Sequence, residues 1–200
     1  MIKILIAEDQ SMLLGALAAM LDMEPDFEII DTASDGKEAL TLIKKHTVDI
    51  VLTDIEMPKL TGIELAQELK KLQHPAKVMI LTTFARSGYL RRAMDSGVKG
   101  YLLKDAPSNS LANAIRKIHE GKTIVATGLV TNAWTEADPL SDNERKILRL
   151  SFEGLSTKEI AAQTSLSAGT VRNYLSEVIS KLDANNRIDA ARIAKQKGWL

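Results

Sequence analysis

Residues 49–62, DIVLTDIEMPKLTG, join a short apolar run to an acid, then to a loop marked by proline and glycine. Between Asp49 and Thr53 the run is wholly aliphatic, the pattern of a strand covered on both faces. Asp54 stands at its carboxyl end, and Pro58 and Gly62 shape the loop and the start of the next helix. Working outward, the same unit recurs. Strand candidates are 2–7 (IKILIA), 27–31 (FEIID), 49–53 (DIVLT), 77–82 (KVMILT) and 100–103 (GYLL). Helical patterns fall near 10–22, 35–45, 62–72, 86–96 and 108–120. Alternating strands and helices argue for a parallel sheet with helices on both sides. Five such units in residues 1–120 predict an α/β, flavodoxin-like (βα)5 domain with strand order 2-1-3-4-5.

The pattern breaks at 121–139, GKTIVATGLVTNAWTEADP, with two glycines, four threonines and a closing proline. This stretch reads as a linker, with Trp134 placed to tether it by packing. From Leu140 the signal is helical only. Ser141 and Glu144 form S-x-x-E, a capping box, and Ser156 with Glu159 repeats it. Gly154 ends the first helix. Ser167 caps a third helix over 168–182, and a fourth runs from about 186 to 197. The short turn between the second helix (157–164) and the third is the helix-turn-helix layout, so 140–200 is expected to be a small all-α, four-helix domain.

The chain has 26 basic and 26 acidic residues, so its net charge does not announce a polyanionic partner. From Asp138 onward ten Lys/Arg stand against eight Asp/Glu, an asymmetry too small to decide anything. The absence of cysteine excludes disulfide and thiol chemistry and suits a reducing compartment. His46, His74 and His119 lack metal-ligand spacing. No apolar run is long enough to span a bilayer, which takes roughly 18 residues. MIKILIAED shows no signal-peptide pattern, so no leader is expected. The expected setting is the cytoplasm, with no membrane contact.

In such a sheet, ligands sit beyond the carboxyl ends of the strands. Strand one ends in Glu8-Asp9, strand three in Asp54, strand four in Thr82-Thr83 and strand five in Lys104. Converging carboxylates repel one another unless a hard divalent cation such as Mg2+ joins them. A carboxylate can attack phosphorus to give an aspartyl phosphate. A cation and a lysine ammonium would stabilise the transferring charge. A threonine hydroxyl could then bond the phosphoryl oxygens.

AED (7–9), TDIEMPKLTG (53–62), LTT (81–83) and GYLLKD (100–105) resemble the receiver domain of two-component response regulators. The spacings agree: Asp54 lies 28 residues before Thr82 and 50 before Lys104. The resemblance implies Asp54 as phosphoacceptor. It implies Glu8, Asp9, Asp54 and the Glu56 backbone carbonyl as Mg2+ ligands. Thr82 becomes the switch hydroxyl, Lys104 the phosphoryl-binding lysine and Tyr101 an aromatic that turns inward on activation. The implied partner is a sensor histidine kinase.

The C-terminal pattern, LSDNERKIL through GLSTKEIAAQTSLSAGTVRNYLSEVISKL to NRIDA, resembles the NarL/LuxR (FixJ) type of helix-turn-helix domain. The third helix would then enter the major groove of promoter DNA. Arg172, Asn173 and Ser176 are its candidate base readers. Lys158, Thr170, Tyr174 and Lys181 are candidate phosphate contacts. Where the family often has Lys-x-His after Thr-Val, this chain has Arg172-Asn173-Tyr174, so base preference does not carry across. A finer resemblance, through AEDQ, MLLGAL, ILTTFAR and GVKGYLLKD, is to regulators of membrane-lipid desaturase genes within that family.

The implied function is a transcription regulator, not an enzyme. An aspartyl phosphatase would need a second acid, weakly mimicked by Asp54-Ile55-Glu56, and a capping element that nothing here supplies. A regulator that ignores phosphorylation would not need Asp54, Thr82 and Lys104 together. Two expectations complete the reading. Leu13, Leu14, Leu17, Leu111, Ile115 and Ile118 are expected to form a homodimer surface on phosphorylation, with core packing as the alternative. Phe84 and Glu56 are expected to tune the lifetime of the phosphate.

Overall fold

The computed structural model describes residues 1–83, 86–126 and 138–200. The chain divides into two compact units, each with its own apolar core. Phe84, Trp134 and the greater part of the expected linker lie outside the described residues.

The first unit contains strands β1 (Ile2–Ala7), β2 (Phe27–Ala33), β3 (Ile50–Thr53), β4 (Lys77–Thr82), β5 (Gly100–Leu103) and β6 (Ile124–Val125). Its helices are α1 (Ser11–Asp22), α2 (Gly36–Ile43), α3 (Gly62–Lys71) and α5 (Ser108–His119), with α4 (Ser87–Asp95) counted in it from Leu90 onward. Every pairing is parallel, in the order β2-β1-β3-β4-β5-β6. The expected order is present and is extended by one strand. β6 falls inside 121–139, which the sequence reading assigned wholly to a linker. Gly121, at φ +96°, turns the chain out of α5. The Ile124 amide then donates to the Lys99 carbonyl and the Ala126 amide to the Tyr101 carbonyl, both at 2.9 Å. Without these bonds β5 would be an open edge, and two β-branched residues suffice to cover it.

Ile4, Ile6, Ile50, Leu52, Met79, Leu81 and Leu102 line the sheet face shared by α1 and α5. Leu5, Val51 and Ile80, one step out of phase, are buried as well. Burial of alternate residues on both faces explains the unbroken apolar runs. Each such side chain stabilises the fold by roughly 1.5–3 kcal/mol.

This core takes up four of the six residues expected at the dimer surface, the core-packing alternative. Leu17, Leu111, Ile115 and Ile118 are buried in it, and Leu13 and Leu14 are half-buried against it. α1 and α5 cover the same sheet face, so their sideways-pointing apolar residues are used in the trough between them. There a cleft of about 210 Å3 is lined by Leu13, Leu17, Met20, Leu81, Lys104 and Leu111, among others.

The second unit is helical: α6 (Asp142–Phe152), α7 (Thr157–Thr164), α8 (Ala168–Lys181) and α9 (Arg187–Lys197). Ser141–Glu144 and Ser156–Glu159 form the two expected capping boxes, and Ser167 and Asn186 cap the remaining helices. Gly154, at φ +93°, follows α6. The turn into α8 passes through Ser165 at φ 56° and is closed by the Leu166 amide on the Ala161 carbonyl. Ile147, Leu148, Ile160, Val171, Leu175 and Val178 form the centre of the core.

Candidate functional site

The strand ends of the first unit meet at one rim. Backbone bonds set their heights: Glu8 donates to Ala33, Asp54 to Ala7 and Lys104 to Thr82, each at about 2.9–3.0 Å. The last of these ties the Lys104 backbone directly to that of Thr82. Gly62 closes the loop behind Asp54. Its amide donates to Ile55 at 3.0 Å, and a Cβ there would lie 2.0 Å from the Asp54 carbonyl oxygen. Any side chain at 62 would therefore push the loop away from the strand end.

The ammonium of Lys104 lies 2.7 Å from Glu8 Oε2 and 2.8 Å from Asp54 Oδ2, with all three side chains buried. Asp54 Oδ1 accepts the Ile55 amide at 2.6 Å, which leaves the carboxylate rigidly aimed. Asp9 is exposed, and one oxygen from each of Glu8, Asp9 and Asp54 lies within 4.8 Å of the other two. Burial pushes the Glu8 carboxyl above its ordinary range and the Asp54 charge adds to this, against the pull of the Lys104 hydrogen bond. Burial would lower the Lys104 ammonium, but its bonds to Asp54 and Glu8 outweigh that and raise it. Lys104 therefore stays charged, and one positive charge faces three carboxylates. The residual negative charge, on oxygen atoms only, fits a hard divalent cation such as Mg2+.

Glu56 is half-buried two residues beyond Asp54, and the Thr82 side chain is fully buried at the tip of β4. Tyr101 is fully buried too.

On α8, Arg172, Asn173 and Ser176 are exposed, while Thr170 and Tyr174 are half-buried. Lys158 is exposed near the start of α7. Two of the expected phosphate contacts have prior commitments. The Thr170 hydroxyl lies 2.8 Å from the hydroxyl of Ser167, the cap of its own helix. The Lys181 ammonium is held by both oxygens of Glu144, at 2.7 and 2.9 Å. Glu144 is buried and also takes the Ser141 amide and hydroxyl. Arg145, unremarked in the sequence reading, bonds Asp138, Asp142 and the carbonyls of Leu140 and Trp199. The capping box marked Glu144 in the sequence; nothing local marks its partner Lys181, 37 residues away.

Comparison with known proteins bears on both units. Residues 4–116 match the response regulator receiver domain. Residues 138–194 match the bacterial regulatory proteins of the luxR family. The chain is 51% identical to transcriptional regulatory protein DesR of Bacillus subtilis and 50% identical to transcriptional regulatory protein YvfU of the same organism. Both alignments span all of each chain. Among solved structures, the response regulator ChrA of a heme-sensing two-component system is 33% identical, with TM-score 0.56, covering 100% of this chain and 98% of that one.

Proposed function

The chain belongs to the LuxR-type response regulators, which regulate transcription and are not enzymes, and from that premise we propose that phosphorylation of Asp54 controls how it binds promoter DNA. A sensor histidine kinase is the donor. An Asp54 carboxylate oxygen attacks the phosphorus of its phosphohistidine, the P–N bond breaks, and the imidazole leaves and takes up a proton. Glu8, Asp9, Asp54 and the Glu56 carbonyl would hold Mg2+, which supplies charge neutralisation at the phosphoryl oxygens. Lys104 supports the same oxygens through its ammonium, and Thr82 carries the hydroxyl that answers them, beside Tyr101. The observation that carries this reading is the Lys104 bridge between Glu8 and Asp54 at the rim.

Phosphorylated chains pair as a homodimer and place two copies of α8 on adjacent half-sites about one helical turn apart. Arg172, Asn173 and Ser176 read bases there, and Lys158 meets phosphate. With Leu17, Leu111, Ile115 and Ile118 in the core, the pairing surface moves to the outer side of α1. Met12 is 88% exposed there, and Ala16 and Ala19 follow it at helical spacing; Leu13 and Leu14 edge this face. The site of action is the cytoplasm. Among the described residues no helix is long and apolar enough to cross a membrane. Two relatives at 51% and 50% identity do not single out one regulon. The membrane-lipid target implied by the finer resemblance is tested by footprinting across the genome.

The deciding experiment treats the full chain with Mg2+ and a small phosphodonor or beryllofluoride. Intact mass, light scattering and promoter binding are then read together. Wild type should gain one phosphoryl group, dimerise and bind more tightly, and Asp54→Asn should do none of these. Met12→Glu should gain the phosphoryl group yet stay monomeric. Promoter binding indifferent to treatment would overturn the switch.

A further inference from the structure

The loop from Asp54 to Gly62 has an unusual support outside the acidic pocket. Lys59 lies within it at φ 64°, a left-handed conformation that a lysine holds only when its surroundings impose it. The loop is tight on either side: the Met57 amide donates to Ile55 and the Leu60 amide to Pro58. From this position the Lys59 ammonium reaches Asp35 Oδ2 at 2.5 Å. Asp35 is the cap of α2, and its other oxygen accepts the Lys37 and Glu38 amides at 2.9 Å. Its side chain is only 7% exposed, whereas that of Lys59 is 63% exposed.

A second contact joins the same two elements. A Cβ on Gly36, the first residue of α2, would lie 2.1 Å from the Leu60 carbonyl oxygen. The start of α2 therefore sits directly against residues 59–60. α2 itself is fixed by Ala39 and Ile43, both fully buried. An ion pair with one partner this exposed contributes little to stability. Yet the chain takes a rare backbone conformation at the residue that makes it. Its effect must lie in the position of the loop, whose first half carries Asp54 and the Glu56 carbonyl.

We infer that Asp35 and Lys59 are positioning residues of the phosphoryl site: their pair, with the close approach of Gly36 to Leu60, clamps the acceptor loop to α2 and holds the Glu56 carbonyl where a divalent cation is bound. This rests on the reading of Asp54 as phosphoacceptor. The clamp touches neither the cation nor the phosphoryl group. It acts on how readily the loop accepts the cation, as outer-shell residues do at other metal sites.

The test titrates the full chain with Mg2+ and follows the Ile55 and Met57 amide signals. In parallel it measures phosphoryl uptake from acetyl phosphate at rising Mg2+. Lys59→Ala should raise the Mg2+ needed for half-saturation about three- to tenfold and leave the uptake rate at saturating Mg2+ within about twofold of wild type. Asp35→Asn, which keeps a capping acceptor, should do the same. The double variant should be no worse than either alone, and Lys59→Arg should restore the wild-type value. Unchanged half-saturation in the single variants, additive effects, or a rate lost at every Mg2+ concentration would each overturn the clamp. A wild-type chain that takes up no phosphoryl group, or uptake that survives Asp54→Asn, would instead remove the phosphoacceptor reading, and the inference with it.

Discussion

Glu8 in the first unit and Glu144 in the second are both almost wholly buried, and each lies 2.7 Å from a lysine ammonium. Their carboxyl groups nevertheless move in opposite directions. Burial, aided by the Asp54 charge, raises Glu8 despite Lys104. Burial would raise Glu144 too, but Lys181 and the Ser141 cap overcome it and lower the group. The difference is one of supply. Glu144 has a lysine to itself plus two Ser141 donors, so its charge is met within the fold. Glu8 shares Lys104 with Asp54, beside Asp9, so the charge at the rim is not met. A buried acid with its own donors holds a domain together; a buried acid left short of positive charge is prepared for a ligand.

That contrast can be broken first at Glu144. Glu144→Ala removes the acceptor for Lys181 and for the start of α6, and should destabilise the helical unit by about 3 kcal/mol. Urea unfolding of the full chain, read from the NMR signals of Ile147 and Val171, measures it. Glu8→Gln should do the reverse: stability equal to or above wild type, but Mg2+ affinity lower by about 10- to 100-fold. A Glu8→Gln variant that unfolds while keeping its Mg2+ affinity would erase the distinction.

A smaller effect follows from pH. Glu144 is lowered from its ordinary value of 4.5, so the unfolded chain binds its proton first on acidification. Its contribution is fully present above pH 4.5 and is lost as pH falls through the lower folded-state value. In Glu144→Gln that portion of the acid loss should vanish, which a series of urea midpoints at falling pH would register. The smallest effects belong to the DNA face. Arg172→Ala should weaken binding by about 1–3 kcal/mol and relax preference at one base pair. Lys158→Ala should weaken all sequences alike and lower the slope of log affinity against log salt by about one. Lys181, held by Glu144, should give a shallower change in that slope than Lys158.

The features legible in the sequence were local or periodic. Aliphatic runs marked the first five strands, S-x-x-E marked the starts of α6 and α7, and the polar residue ending each central strand marked the rim. β6 escaped notice because two β-branched residues among threonines and glycines carry no periodic signal. Their strand character comes from the edge of β5 they cover. For Leu17, Leu111, Ile115 and Ile118 core packing prevailed over surface pairing for a related reason. Helical spacing shows that α1 and α5 are apolar on a broad face, but not that they lie side by side on one sheet face and use that breadth between them.

By itself, then, the order of residues determined the first five strands, the starts of the helices and which residues end the strands at the rim. Those follow from turn chemistry, capping and an alternation of period that each act within a few residues. Only the tertiary structure decided which charges are matched. Lys104 meets Glu8 across 96 residues of chain, Lys181 meets Glu144 across 37, and Lys59 meets Asp35 across 24. An ion pair depends on distance in space and on exclusion of water, and neither exists until the sheet and the helices have packed.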